Sequence, residues 1–126
     1  MEEITYPPIK TNIPDSLQLR QPLMIISGPF VASASESFLA LMKETGRATV
    51  IGEPSAGALT EPMVIPLPIT KLNIMIAANK YINPDGTDSN FTGILPDIEV
   101  TRDYEAYLKG KDNVLERTIE ELKNRF

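Results

Sequence analysis

Apolar residues fall in short runs separated by proline, glycine and small polar residues, and the spacing within the runs changes along the chain. Leu23-Met24-Ile25-Ile26 is continuous and leads into Ser27, so Pro22 to Ser27 is predicted as a short strand of the kind buried on both faces of a parallel sheet. From Ser33 to Thr45 the pattern turns helical. Phe38, Leu39, Leu41 and Met42 interleave with Glu36, Lys43 and Glu44, and Gly46 is placed to cap the C-terminus. Ala48 to Ile51 resumes as a strand, which completes a βαβ crossover.

Beyond the Gly52 to Thr60 loop, two β-rich runs, Met63 to Pro68 and Leu72 to Ala78, are joined by Ile69-Thr70-Lys71 and predict an antiparallel hairpin. Pro66 and Pro68 confine its first strand to an edge, because proline has no amide to donate to a ladder. Tyr81-Ile82 is read as an extension of the second strand before the Asn83-Pro84-Asp85-Gly86 turn, and Ile98 to Thr101 as a further short strand. Tyr104 to Leu108 reads as a helical turn ended by Gly110. A final helix at about 112–126 starts from Asp112 as N-cap, with Val114, Leu115, Ile119, Leu122 and Phe126 on one face. Pro7, Pro8 and Pro14 make residues 1–21 an extended lead-in, leaving 22–126 as the folded part.

Composition narrows the chemistry. At 126 residues there is room for one core, and a hydrophobic fraction of 42% with 23% charged residues is that of an ordinary globular domain. The net charge of −5, spread without a basic patch, argues against a nucleic-acid partner, and no apolar run is long enough for membrane insertion by this chain. There is no cysteine and no histidine, so the chain alone offers no thiol nucleophile and no imidazole base. No spacing of oxygen ligands suggests a metal, and no cofactor is expected.

The candidate chemistry centres on Ser33. It opens the predicted helix, where amides at a helix N-terminus can stabilise a developing oxyanion. Ser33-Ala34-Ser35-Glu36 is equally a capping box, with Ser33 capping the Glu36 amide and Glu36 reaching back. From the residues alone both readings stand. Three ordered blocks bear on the choice: Val31-Ala32-Ser33-Ala34-Ser35-Glu36-Ser37-Phe38, then Gly46 through Gly57 with Gly52-Glu53-Pro54, then Gly93-Ile94-Leu95-Pro96-Asp97-Ile98-Glu99-Val100. Together they resemble the C-terminal processing (tail-specific) protease superfamily, and the Gly52-Glu53-Pro54-Ser55-Ala56-Gly57-Ala58 block is closer to the branch of the tricorn core protease and the retinoid-binding repeats.

That resemblance covers roughly Pro22 to Phe126 and implies an α/β fold, the Clp protease/crotonase-like spiral, of which this chain would be the C-terminal portion of a catalytic domain. It also implies a domain fragment rather than a native start, with exposed strand edges inviting self-association as a homo-oligomer. Family habit places bacterial members in the periplasm or outside the cell.

The same resemblance makes Ser33 the nucleophile, Ala34 N–H one oxyanion donor, and Ser35 and Ser37 supporting polar residues. Gly28 is the single glycine before Ser33 and a candidate second donor, otherwise a tight turn. The tail-specific branch uses a lysine base at a place that, 25 residues after Ser33, holds Ala58 here, while Lys43 and Lys71 are poorly placed for that role. The other branch draws its base from upstream and orients it with a glutamate whose position holds Asn90, with Asp88 beside it; both also read as parts of a polar surface loop. Glu53 is expected to pair with backbone at the loop mouth, and Asp97 to bind its own backbone in a turn. The expected function is the nucleophile-bearing fragment of a serine endopeptidase acting on peptides or proteins, inactive in isolation. The alternative is a non-catalytic binding module of the same fold for apolar ligands or peptides.

Overall fold

The computed structural model describes residues 12–83 and 86–125, so most of the lead-in, the centre of the Asn83–Gly86 turn and Phe126 lie outside the described residues. Within the lead-in, Asp15–Leu17 forms one 3-10 turn and buries nothing. The continuous apolar run becomes β1 (Met24–Ser27), which pairs in parallel with β2 (Thr49–Gly52), Ile25 opposite Val50 and Ser27 opposite Gly52. A third strand, β5 (Ile98–Glu99), joins parallel to the other side of β2, which makes β2 central.

Its central place is why Val50 and Ile51 are both 0% exposed: successive strand residues face opposite sides, and each side is covered. On one side Val50 meets Leu39 and Ala40 of α1 (Ala34–Glu44), with Ile94 completing the cluster. On the other side α3 (Asn113–Lys123) packs against β1 and β2. Full burial of each such aliphatic side chain contributes about 1.5–3 kcal/mol.

Helix α3 starts from Asp112 as expected, the carboxylate accepting from the amides of Val114 and Leu115 at 3.1 Å. The predicted stripe is corrected: Val114 and Thr118 are buried, whereas Leu115 and Ile119 remain 46% and 42% exposed. Thr118 can be buried because its hydroxyl donates to the Val114 carbonyl at 2.7 Å, which leaves no polar atom unsatisfied. A shorter helix, α2 (Tyr104–Leu108), is capped by Asp103, and Gly110 follows it in the left-handed region.

The hairpin forms as β3 (Pro62–Pro66) and β4 (Asn73–Ala77), Val64 opposite Met75. It stands apart from the parallel sheet, with Met63, Val64, Ile74, Met75 and Ile76 all exposed. Tyr81-Ile82 does not extend β4. The ladder ends where Ala78 N–H bonds to the Glu61 carbonyl and Asn79 Oδ1 takes the Glu61 amide, leaving Ile82 with one isolated bridge to Asp88.

Asp112 also meets Arg102 at 3.0 Å, and its carboxyl is held below the ordinary range, first by the Leu115 amide, against some desolvation, and then by the guanidinium. A lowered folded-state value gives stability that is present above the unfolded value of about 3.9 and lost as pH falls through the folded one. Asp112→Ala should therefore cost about 1 kcal/mol at pH 7, and that difference should shrink below about pH 4 in urea denaturation.

Candidate active site

Three parallel strands bring the C-terminal ends of β1, β2 and β5 to one edge of the sheet, where open α/β sheets place their ligand sites. The segment after β1 turns at once, Val31 N–H donating to the Gly28 carbonyl at 2.9 Å, and enters α1 at Ser33. Ser33 has φ 58° and ψ −127°, a conformation that L side chains rarely adopt and that holds an exposed serine at a sharp strand-to-helix turn. Such a residue stores on the order of 1–3 kcal/mol of strain, so something must over-determine it.

The constraint is Glu36, which is 0% exposed. Its Oε2 accepts from the amides of Ser33 at 2.9 Å and Ala58 at 2.8 Å; its Oε1 accepts from Ser55 Oγ at 2.6 Å and the Gly57 amide at 2.7 Å. Ser55 Oγ in turn accepts from the Ile94 amide at 2.7 Å. Serine and glutamate occupy both places of the capping box, but the Glu36 amide donates to the Ser33 carbonyl at 2.8 Å and the Ser33 hydroxyl makes no capping hydrogen bond. The amides of Ser35, Glu36 and Ser37 bond to the carbonyls of Ala32 and Ser33, while among the described residues the Ala34 amide has no partner.

The Glu36 and Ser55 side chains thus join all three sequence blocks. Ser55 escaped the sequence reading, in which Glu36 was only a cap; the available signal was a carboxylate with more acceptor sites than one capping bond uses. Close approach of the loops requires glycine at two points. A Cβ on Gly93 would lie 2.1 Å from the Ser55 carbonyl oxygen, and one on Gly57 within 2.8 Å of the Phe91 backbone.

Other expectations meet the structure as follows. Glu53 is not the carboxylate that pairs with backbone at the loop mouth; its amide lies 3.3 Å from the Ser27 carbonyl, and Glu36 does that work from the helix. Asp97 does not bind its own backbone: Oδ2 accepts the Val50 amide at 2.8 Å and Oδ1 meets Lys43 at 3.1 Å, which ties the motif to the central strand. Lys43 therefore leans across to Asp97 and to the Leu95 carbonyl at 2.6 Å. Lys71 lies in the hairpin turn with φ 61°, and Ala58 contributes only its amide.

Asn90 does not belong to a surface loop. It is 6% exposed, its amide donates to Asp88 Oδ1 at 2.9 Å, and its side-chain Oδ1 is buried with no hydrogen-bond partner among the described residues. That amide bond is the first cause holding the Asp88 carboxyl below its usual value, with Lys80 adding to it from 3.3 Å. The Phe91 amide, bonded to the Gly57 carbonyl at 2.9 Å, keeps Asn90 next to the loop that Glu36 grips. Gly28 forms the tight turn; a Cβ there would meet nothing within 4 Å. Among the described residues no group of three or more His, Cys, Asp or Glu could hold a metal ion.

Comparison with known proteins bears on the family and the fold. The model of Peptidase family S41 matches residues 4–100. A carboxy-terminal-processing protease of Bartonella bacilliformis is 32% identical over 95 residues, covering 75% of this chain and 22% of the relative, so the chain spans about a fifth of that protein. Among solved structures, a candidate peptidase of Parabacteroides merdae superposes with a TM-score of 0.72 at 26% identity, over 80% of this chain and 31% of the other. The photosystem II D1 C-terminal processing protease gives 0.53 at 28% identity, over 64% and 20%. The tricorn protease, at 22% identity and TM-score 0.65 over 81% and 10%, shares the fold. The α/β fold is of the serine-protease type found among these relatives, and the chain belongs to peptidase family S41.

Proposed function

We propose that this chain is the nucleophile-bearing part of a serine endopeptidase acting on peptides or proteins. The observation that carries the reading is Ser33 itself: exposed, held at φ 58° on a helix N-terminus, and followed by the unpartnered Ala34 amide. In the reaction, Ser33 Oγ attacks the peptide carbonyl carbon and its proton passes to a base. Ala34 N–H stabilises the tetrahedral oxyanion, the C–N bond breaks with the proton going to the amine, and water then hydrolyses the acyl ester.

The base and the second oxyanion donor belong to a segment outside this chain, since the sequence has no histidine and Lys43 is engaged elsewhere. Asn90 would orient an incoming base, a role supported by its buried and unpartnered side-chain oxygen. The isolated chain is then inactive or nearly so, because general-base proton transfer accounts for about 10²–10⁴-fold. One observation favours a second reading, a binding module for peptides or apolar ligands: Ala58 stands where a lysine base would be and offers only a backbone amide.

Three outcomes are expected. A fluorophosphonate probe read by intact mass should label Ser33 only when the base-bearing segment is supplied, and Ser33→Ala should abolish labelling. No labelling in either form, with both folded, would leave Ser33 a helix cap and put the binding module first. Ser33→Gly should unfold at higher urea than Ser33→Ala, by about 1 kcal/mol, because glycine relieves the positive φ. Glu36→Gln should cost about 3 kcal/mol in the same assay, since its amide nitrogen cannot accept the bonds one carboxylate oxygen now takes.

A further inference from the structure

Across the sheet edge from α1 lies a cavity of about 370 Å³ that the Ser33 machinery does not use. One wall is the segment Ile26 to Val31, and the other is formed by Arg102, Tyr104, Tyr107 and Asp112. The first wall leads directly to the candidate nucleophile. Two residues span at most about 7 Å, so Val31 cannot be farther than that from Ser33 along the main chain.

We propose that this cavity is a substrate subsite that takes a large uncharged side chain, aromatic or long aliphatic, of a peptide bound over Ser33; the inference rests on the peptidase reading above. Three observations set the class. Its walls are aromatic and apolar, with Phe30 91% exposed and Tyr104 and Tyr107 52% and 51% exposed beside the turn into α1. Large apolar groups left in water next to a reactive centre mark a binding surface. Next, its two charged groups, Arg102 and Asp112, meet at 3.0 Å, so the pair offers no net charge to attract a charged side chain. Last, the Arg102 guanidinium, anchored to the α3 N-cap, lies 4.9 Å from the centroid of the Tyr107 ring and restrains that face of the ring.

The discriminating experiment titrates the ¹⁵N-labelled full chain with N-acetyl amides of phenylalanine, leucine, alanine and glutamate and follows amide shifts. Phenylalanine and leucine amides should move resonances of 26–31 and 102–107 together and bind at least ten-fold tighter than alanine or glutamate amides. Tyr107→Ala and Phe30→Ala should each weaken phenylalanine-amide binding at least five-fold, and Phe30 is so exposed that its loss leaves the core intact. Met75→Ala, on the hairpin and outside the cavity lining, should bind unchanged. Equal affinity for all four amides, shifts centred on 63–76, or unaltered binding in both wall variants overturns the proposal. Because the readout needs no acylation, an unreactive Ser33 with intact side-chain preference removes the peptidase reading alone. A reactive Ser33 with no preference removes this inference alone.

Discussion

A single buried carboxylate organises the site. Glu36 is shut off from water, and an ionised carboxylate taken there without partners would cost several kcal/mol. Four donors from α1, the loop after β2 and a serine side chain offset that, each charge-assisted bond being worth about 1.5–3 kcal/mol. The bonds converge from segments up to 22 residues away from Glu36, so the carboxylate fixes their mutual geometry as well as its own. Ser33 can then be kept at φ 58°, because its amide is pinned on Glu36 and its carbonyl on the helix. The strain is local, and the support is distributed.

What the chain shows on reading follows from what is local in it. β1, α1, β2 and the hairpin were legible because burial on two faces, on one stripe, or in an alternating pair leaves a period in the sequence. The cap at Asp112 and the helix start at Ser33 were legible for the same reason, since a helix entrance is set within three positions. Glu36 as a hub was not, because three of its four donors lie 19 to 22 residues away and leave no periodic trace. Asp97 was misread through the same blindness: its partners, Val50 and Lys43, are brought near by the sheet and by α1 packing. On α3 the pattern favoured Leu115 and Ile119, but the helix turns Val114 and Thr118 inward because threonine can satisfy itself on its own backbone. The site residues owe their assignment to the three blocks taken together; Ser33 alone reads equally well as a cap.

The hairpin raises a separate physical question. Among the described residues β3 and β4 pair with no third strand, and two strands with exposed apolar side chains are marginal in water. The parallel sheet has no such difficulty, since α1 and α3 cover it. Stability in this chain is therefore concentrated around β2, next to the site, and falls toward β3 and β4.

The same hydrogen bonds that position Ser33 also decide what Glu36 cannot do. Both of its oxygens accept two bonds each, so no acceptor site is left to take a proton from a hydroxyl, and pulling it away would release the Ser33 amide. Lys43 faces the opposite requirement, its ammonium holding Asp97 and the Leu95 carbonyl in the motif that follows Asn90. Glu36 and Lys43 are thus both committed to geometry, and among the described residues the helix entrance keeps an exposed Ser33 hydroxyl and an Ala34 amide without a partner. On the proposed peptidase reading, these residues position the Ser33 hydroxyl, and its activation is a separate task left to a base.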